Sequence, residues 1–195
     1  MKRNRVLAVA AAGFLGAIAL SGVARAPTSP HHAAMSGHAA SRASRAMLTS
    51  VTDTQIINDY AGLCLDAEND SSDNPNHNGD KVQLWTCGGT KNQLWTVNGG
   101  GSSWVTITNA YSGKCLDAVA SGAGKNGDRV QLWTCTGAAN QKWYVYNPGA
   151  SDPIFNGGAL PAALALDAVE SGAGKNGDPV QLWQDNNELQ QLWVY

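Results

Sequence analysis

NGDKVQLWTC, residues 78–87, returns almost letter for letter as NGDRVQLWTC at 126–135 and as NGDPVQLWQD at 176–185. A segment written three times in 195 residues has to be read as a period before it is read as local structure. Asp66, Asp117 and Asp167 each follow a leucine in CLDA, CLDA and ALDA, at spacings of 51 and 50. Gln83, Gln131 and Gln181 open QLW triplets 48 and 50 apart. Gln93, Gln141 and Gln191 open a second set, QLW, QKW and QLW, ten residues further on in every copy. Only the loop between the aspartate and the first glutamine changes, 17 residues in the first copy against 14 in the others. Three units of about 50 residues therefore fill residues 53–195.

Each unit reads as strand. Gly, Asn, Asp and Pro punctuate short apolar runs, and no window has a convincing 3.6-residue period. In VQLW the alternation puts Val82 and Leu84 on one face and Gln83 and Trp85 on the other. Asn78-Gly79 upstream supplies turn chemistry, since both residues tolerate positive φ. Units this small cannot each bury a core. Closing three of them around a threefold axis gives a shared core and few open sheet edges. The expectation is an all-β fold.

The four cysteines, Cys64, Cys87, Cys115 and Cys135, permit three pairings. In the third unit both equivalent positions change together, to Ala165 and Asp185. Joint loss is expected if Cys64 pairs with Cys87 and Cys115 with Cys135, because a bridge between units would leave an orphan thiol.

The N-terminus reads differently. Residues 1–26 have a basic start, a fifteen-residue apolar run at 6–20 and then small residues, the layout of a secretory signal peptide. The run is short of the roughly 20 residues that span a bilayer, so the expectation is export and no membrane insertion. Residues 27–52 are rich in Ala, Ser and His and read as a disordered linker or pro-segment. His31, His32 and His38 lie there without Cys or carboxylate partners, which argues against a metal site. Residues 53–195 hold seven Lys/Arg against fifteen Asp/Glu, a balance of −8. That leaves no basic footprint for nucleic acid.

Three copies of Cys-Leu-Asp (Ala-Leu-Asp in the third) followed by Gln-x-Trp resemble the ricin B-type lectin domain, also called carbohydrate-binding module family 13. The resemblance runs over essentially all of 53–195. It implies a β-trefoil of twelve short strands in three pseudo-equivalent units, with up to one shallow sugar site per unit. In the first site Asp66 would accept bonds from sugar hydroxyls and Trp85 would stack on the ring. Asn92 would reach a further hydroxyl, with Gln83 and Gln93 holding these groups in place. The second set would be Asp117, Gln131, Trp133, Asn140 and Gln141. The third would be Asp167, Gln181, Trp183 and Gln191, but Gln190 stands where the family has asparagine. By the same resemblance Trp95, Trp143 and Trp193 point into the core.

The chemistry is apt without the name. A pyranose needs an aromatic plate for its C–H face and fixed polar groups for its hydroxyls, and a carboxylate makes the stronger, charge-assisted bonds. The bland reading is that a recurring aspartate only bonds the backbone of a repeated turn. An enzyme finds little support. His77 is the only histidine in 53–195, the cysteines are claimed by disulfides, and the recurring carboxylates sit in separate units. The polar loop 67–80 does not follow the calcium-loop spacing, and no metal or cofactor motif is found. The expectation is a secreted, monomeric, non-catalytic protein that binds glycans, either galactose-type or xylan-like. The rival is a secreted trefoil that binds a protein partner, as a hydrolase inhibitor or adhesive scaffold.

Overall fold

VQLW forms a strand in all three copies, and its alternation is visible in the burial. Val82 and Leu84 are buried while Trp85 stands out into solvent. The structure, a computed structural model, describes residues 50–68, 77–99, 104–119, 124–169 and 174–195. The expected signal segment 1–26, the histidine-bearing tail and the centre of the first loop, 69–76, lie outside the described residues. Among the described residues no helix is long and apolar enough to cross a membrane.

Fourteen short strands are found among those residues. Unit one holds β1 (Val51–Thr54), β2 (Ile57–Asn58), β3 (Cys64–Ala67), β4 (Val82–Trp85) and β5 (Trp95–Asn98). Unit two holds β6 (Trp104–Asn109), β7 (Cys115–Ala118), β8 (Asp128–Trp133) and β9 (Trp143–Tyr144). Unit three holds β10 (Asp152–Pro153), β11 (Phe155–Asn156), β12 (Leu164–Ala168), β13 (Val180–Gln184) and β14 (Leu192–Val194). The count exceeds the expected twelve because the first strand of units one and three is broken into two pieces. Pairing continues across each break: Leu65 N–H donates to Ile56 O and Leu166 N–H to Ile154 O, both at 2.8 Å. β1 begins at Val51, two residues inside the stretch read as linker.

The register follows from the apolar pattern. CLDA and VQLW pair antiparallel, with Leu65 opposite Leu84 and Asp66 opposite Gln83. Units two and three repeat the pairing, with Asp117 opposite Gln131 and Asp167 opposite Gln181. A slip of one residue would turn the leucines outward, so burial of the leucines sets the polar pair beside them. Between units, Trp95 lies opposite Asn109, Trp143 opposite Asn156 and Trp193 opposite Asn58. The last pairing joins β14 to β2 and closes the ring of units. This is the expected all-β trefoil.

One apolar core is shared by the three units. Trp95, Trp143 and Trp193 are fully buried, and each indole N–H donates at 2.9 Å to the carbonyl of Leu65, Leu116 or Leu166. A buried tryptophan with its one donor satisfied brings large apolar area at no polar cost. Three leucines, Leu84, Leu132 and Leu182, and three valines, Val82, Val130 and Val180, complete the layer.

The ten-residue repeat also interlocks with itself. Asn78 Oδ1 of unit one accepts from Thr134 N–H of unit two at 2.8 Å. Asn126 of unit two accepts from Gln184 N–H of unit three at 2.7 Å, and Asn176 of unit three accepts from Thr86 N–H of unit one at 2.7 Å. The glycine after each asparagine donates to the same neighbour, to Leu132 O, Leu182 O and Leu84 O, all at 2.8 Å. Gly79, Gly127 and Gly177 have φ of 96°, 89° and 91°, a conformation that glycine adopts without strain. Of the Asn-Gly pair, only the glycine uses positive φ. The asparagine reaches into the next unit.

The disulfides are Cys64–Cys87 and Cys115–Cys135, each within one unit, with Cα–Cα distances of 5.1 Å. Both are compatible with an oxidising, extracellular setting. Loops of 23 and 20 residues are expected to contribute about 3 kcal/mol per bridge on the chain-entropy model. Reduction should therefore lower the denaturant midpoint in two steps, separable in Cys64→Ala/Cys87→Ala and Cys115→Ala/Cys135→Ala variants. Unit three carries an aromatic residue beside the position of the absent bridge. Phe155 lies directly opposite Ala165 and joins Ala163, Ala165, Tyr144 and Tyr146 in a second small apolar cluster.

Candidate functional site

Each aspartate of CLDA is placed by the hairpin register, and its carboxylate is then gripped by amides from further along the same unit. In unit two, Gln131 Nε2 donates to Asp117 Oδ1 at 2.9 Å, while Asn140 Nδ2 and Gln141 Nε2 both donate to Oδ2 at 2.9 Å. In unit one, Gln83 Nε2 donates to Asp66 Oδ1 at 3.1 Å and Asn92 Nδ2 to Oδ2 at 2.8 Å. In unit three, Gln181 Nε2 donates to Asp167 Oδ1 at 2.8 Å and Gln191 Nε2 to Oδ2 at 3.0 Å. The donors to Asp117 lie 14, 23 and 24 residues away, so this carboxylate serves more than its own turn. The turn role falls to other residues: Asp80, Asp128 and Asp178 accept from the N–H of His77, Lys125 and Lys175 three positions back.

The second glutamine of each unit is a brace. Gln141 Oε1 accepts from Thr136 N–H at 2.7 Å while its amide also donates to Thr134 O at 3.0 Å. Gln93 makes the same pair with Gly88 N–H and Thr86 O, and Gln191 with Asn186 N–H and Gln184 O. All three are buried. They tie the loop after the exposed tryptophan back to the aspartate.

Burial separates the parts. Asp66, Asp117 and Asp167 are 3–4% exposed, whereas Trp85, Trp133 and Trp183 are 43%, 38% and 38% exposed. In unit two these groups line one open hollow of about 250 Å³, with Asp117, Val119, Gln131, Trp133, Asn140 and Gln141 in its wall. A second hollow of about 220 Å³ in unit three is lined by Asp167, Val169, Gln181, Trp183, Asn186 and Gln190. Gln190 thus lines the hollow of unit three, at the position where units one and two carry Asn92 and Asn140. Those asparagines additionally donate to Ala67 O at 3.2 Å and Ala118 O at 2.9 Å. A carboxylate offers about four lone-pair sites. The three amides on Asp117 therefore orient it and leave room for an incoming hydroxyl. An exposed indole beside a fixed acceptor can hold a small ring with one apolar face and hydroxyls on its edge.

Unit one differs in charge. Glu68 N–H donates to Lys81 O, as Val119 N–H does to Arg129 O and Val169 N–H to Pro179 O. Glu68 is therefore the counterpart of Val119 and Val169, which line the hollows of units two and three. Its side chain lies 3.8 Å from Lys81 Nζ, which donates to Gln83 Oε1 at 3.1 Å. Burial pushes the Asp66 carboxyl above its ordinary value of 3.8, with the Glu68 charge adding to the rise and the amides of Gln83, Gln93 and Asn92 opposing it. Burial disfavours the ionised form, so the folded chain holds the Asp66 proton to a higher pH than the unfolded chain does. Its contribution to stability is lost as pH rises through the raised value. A ligand bond that needs the carboxylate should weaken on acidification at a pH above 3.8. Titrating ligand binding against pH in an Asp117→Asn/Asp167→Asn variant checks this. Loss only at or below the ordinary value would sink it.

Reading the sequence missed Asn58, Asn109 and Asn156. They are buried and hold the short 3-10 turns that carry Asn92, Asn140 and Gln190. Their signal is phase: Asn58 and Asn109 stand six residues before Cys64 and Cys115, and Asn156 nine before Ala165.

The family profile described as Ricin-type beta-trefoil lectin domain matches residues 52–193. A search of the curated proteins returned no match. Among solved structures, the designed threefold-symmetric protein ThreeFoil has a TM-score of 0.62 at 24% identity, over 72% of this chain and 94% of that one. The Rhizoctonia solani agglutinin has a TM-score of 0.59 at 23% identity, over 77% and 97%. The agglutinin from Abrus precatorius has 0.57 at 25% identity, over 78% of this chain and 50% of that one. The first two likenesses establish the fold alone.

Proposed function

We propose that this chain, which belongs to the ricin-type β-trefoil lectin domain family, is a secreted, non-catalytic carbohydrate-binding protein with up to three weak sites. The observation that carries this reading is the pairing, within each unit, of an exposed tryptophan with a buried aspartate gripped by amides. In unit one the site residues are Asp66, Gln83, Trp85, Asn92 and Gln93. In unit two they are Asp117, Gln131, Trp133, Asn140 and Gln141, and in unit three Asp167, Gln181, Trp183 and Gln191. The aspartate takes hydroxyl protons and the indole meets the C–H face of the ring. The asparagine and glutamines hold the carboxylate in place.

Galactose-type glycans or xylan-like polysaccharides are the ligands that fit this reading, and the protein works as a monomer. A hollow this open binds weakly, near millimolar, or about −4 kcal/mol. Two or three sites on one body raise avidity by roughly 10²–10⁴ on a repeating glycan. The dispersal of the aspartates over separate units supports a non-catalytic role, since glycosidases set two carboxyl groups within about 5–10 Å.

The test is a glycan and polysaccharide array probed with the oxidised protein, run beside a hydrolysis assay on the polysaccharides that bind. Binding to one sugar class without hydrolysis is expected. Silence across the array would overturn the reading and turn attention to protein partners of the trefoil.

A further inference from the structure

The three missed asparagines are built to serve two units at once. Asn109 Oδ1 accepts from Tyr111 N–H and Ser112 N–H at 3.1 and 3.2 Å, inside its own unit. Its Nδ2 donates at 3.0 Å to Asn92 O of the preceding unit. Asn156 accepts from its own Gly158 N–H at 2.9 Å and donates to Asn140 O of unit two at 2.9 Å. Asn58 accepts from its own Ala61 N–H at 3.1 Å and donates to Gln190 O of unit three at 2.9 Å. The direction is the same each time, and the third donation closes a ring.

What these amides hold is the 3-10 turn that presents each site's last side chains: Lys91–Gln93, Ala139–Gln141 and Leu189–Gln191. None of the three turns has a side-chain cap of its own, and short 3-10 turns hydrogen-bond poorly. The neighbouring unit's asparagine therefore adds a clamp from outside to the braces that Gln93, Gln141 and Gln191 make within their own units. Buried amides with both ends occupied keep a fixed geometry, because leaving either end unmade is costly. From Asn109 the line of contact runs to the Asn92 backbone, through the Asn92 side chain, to Asp66 Oδ2. Unit three also abuts unit two by shape: a methyl on Gly158 would lie 2.9 Å from Asn140 Cα.

We infer that Asn109, Asn156 and Asn58 are positioning residues for the site of the preceding unit, so that each sugar site is the joint property of two consecutive units. This rests on the carbohydrate reading above. The geometric part of it stands apart from that reading. The rival assignment is that each asparagine only caps the turn of its own unit.

Aspartate in place of asparagine keeps the acceptor that serves the home unit and removes the donor that serves the neighbour. Two single-site proteins are needed: site one alone (Asp117→Asn/Asp167→Asn) and site two alone (Asp66→Asn/Asp167→Asn). Each is titrated with galactose and with a xylo-oligosaccharide. Asn109→Asp should weaken site one roughly tenfold more than site two, the scale of one lost hydrogen bond. Asn156→Asp should do the reverse. Loss at the asparagine's own unit, or equal loss at both sites, would overturn the inference.

Nitrogen–proton NMR separates this from failure of the carbohydrate reading. The side-chain amide of Asn92 should shift in Asn109→Asp, and that of Asn140 in Asn156→Asp, whether or not a sugar binds. If those amides stay in place, the inference falls; if they move while neither sugar binds, the clamp stands and the carbohydrate reading falls. Should Asn156→Asp fail to fold, Gly158→Ala reaches the Asn140 turn by contact and should bring the same loss at site two.

Discussion

Replacing Asp66 and Asp117 together by asparagine is expected to bring glycan binding down to background. Each carboxylate is buried and accepts amides on both oxygens, so it is aimed before any ligand arrives. Hydrogen bonds to a charged group contribute about 1.5–3 kcal/mol, which corresponds to roughly 10- to 150-fold per site. A site that starts near millimolar then has no measurable affinity. The larger loss is collective. With two of the three proposed sites silenced, the avidity of roughly 10²–10⁴ expected of a multivalent body disappears as well. Surface binding to a polysaccharide-coated chip reads both terms, and thermal unfolding of the variant reads whether the fold survives. Full binding by a folded double variant would show that Asp66 and Asp117 do not hold the ligand.

Phe155→Ala should destabilise the protein by about 3–5 kcal/mol, the range for emptying a buried aromatic position. Phe155 is 2% exposed and sits opposite Ala165, where the other units carry Cys64 and Cys115. Its ring meets Tyr146 edge-on at 6.4 Å, and Tyr146 meets Tyr144 at 5.0 Å. Aromatic side chains therefore pack where the other two units are stapled. Unit three has no bridge to reduce, so the Phe155→Ala loss should be the same in oxidised and reduced protein. Urea unfolding of both forms, with and without reductant, gives the four midpoints required. A change under about 1 kcal/mol would mean that the cavity collapses and that the cluster carries little.

Much of this molecule is legible in its letters. The 48- to 51-residue spacings mark three units. The joint change to Ala165 and Asp185 points to the intra-unit bridges that are found. Two-residue alternation separates Trp85, exposed, from the valine and leucine beside it, because a strand has only two faces. The meeting of Asp66 with Gln83 follows from the same alternation, since burying Leu65 against Leu84 admits one register.

Other features depend on which unit lies beside which, and a repeat carries no mark of that. Asn78 reads as a turn residue, yet its side chain caps Thr134, 56 positions on. Asn176 reaches back 90 positions to Thr86, and Asn58 spans 132 positions to Gln190. Identical copies offer several equally good partners. Closure of the ring, through β14 on β2, selects among them. The same holds for Phe155, whose filling role appears only once Ala165 faces it across the sheet. Local chemistry is set by neighbours in the chain and can be read there. Contacts that cross from one unit to the next exist only after the shared tryptophan core has drawn the three units together.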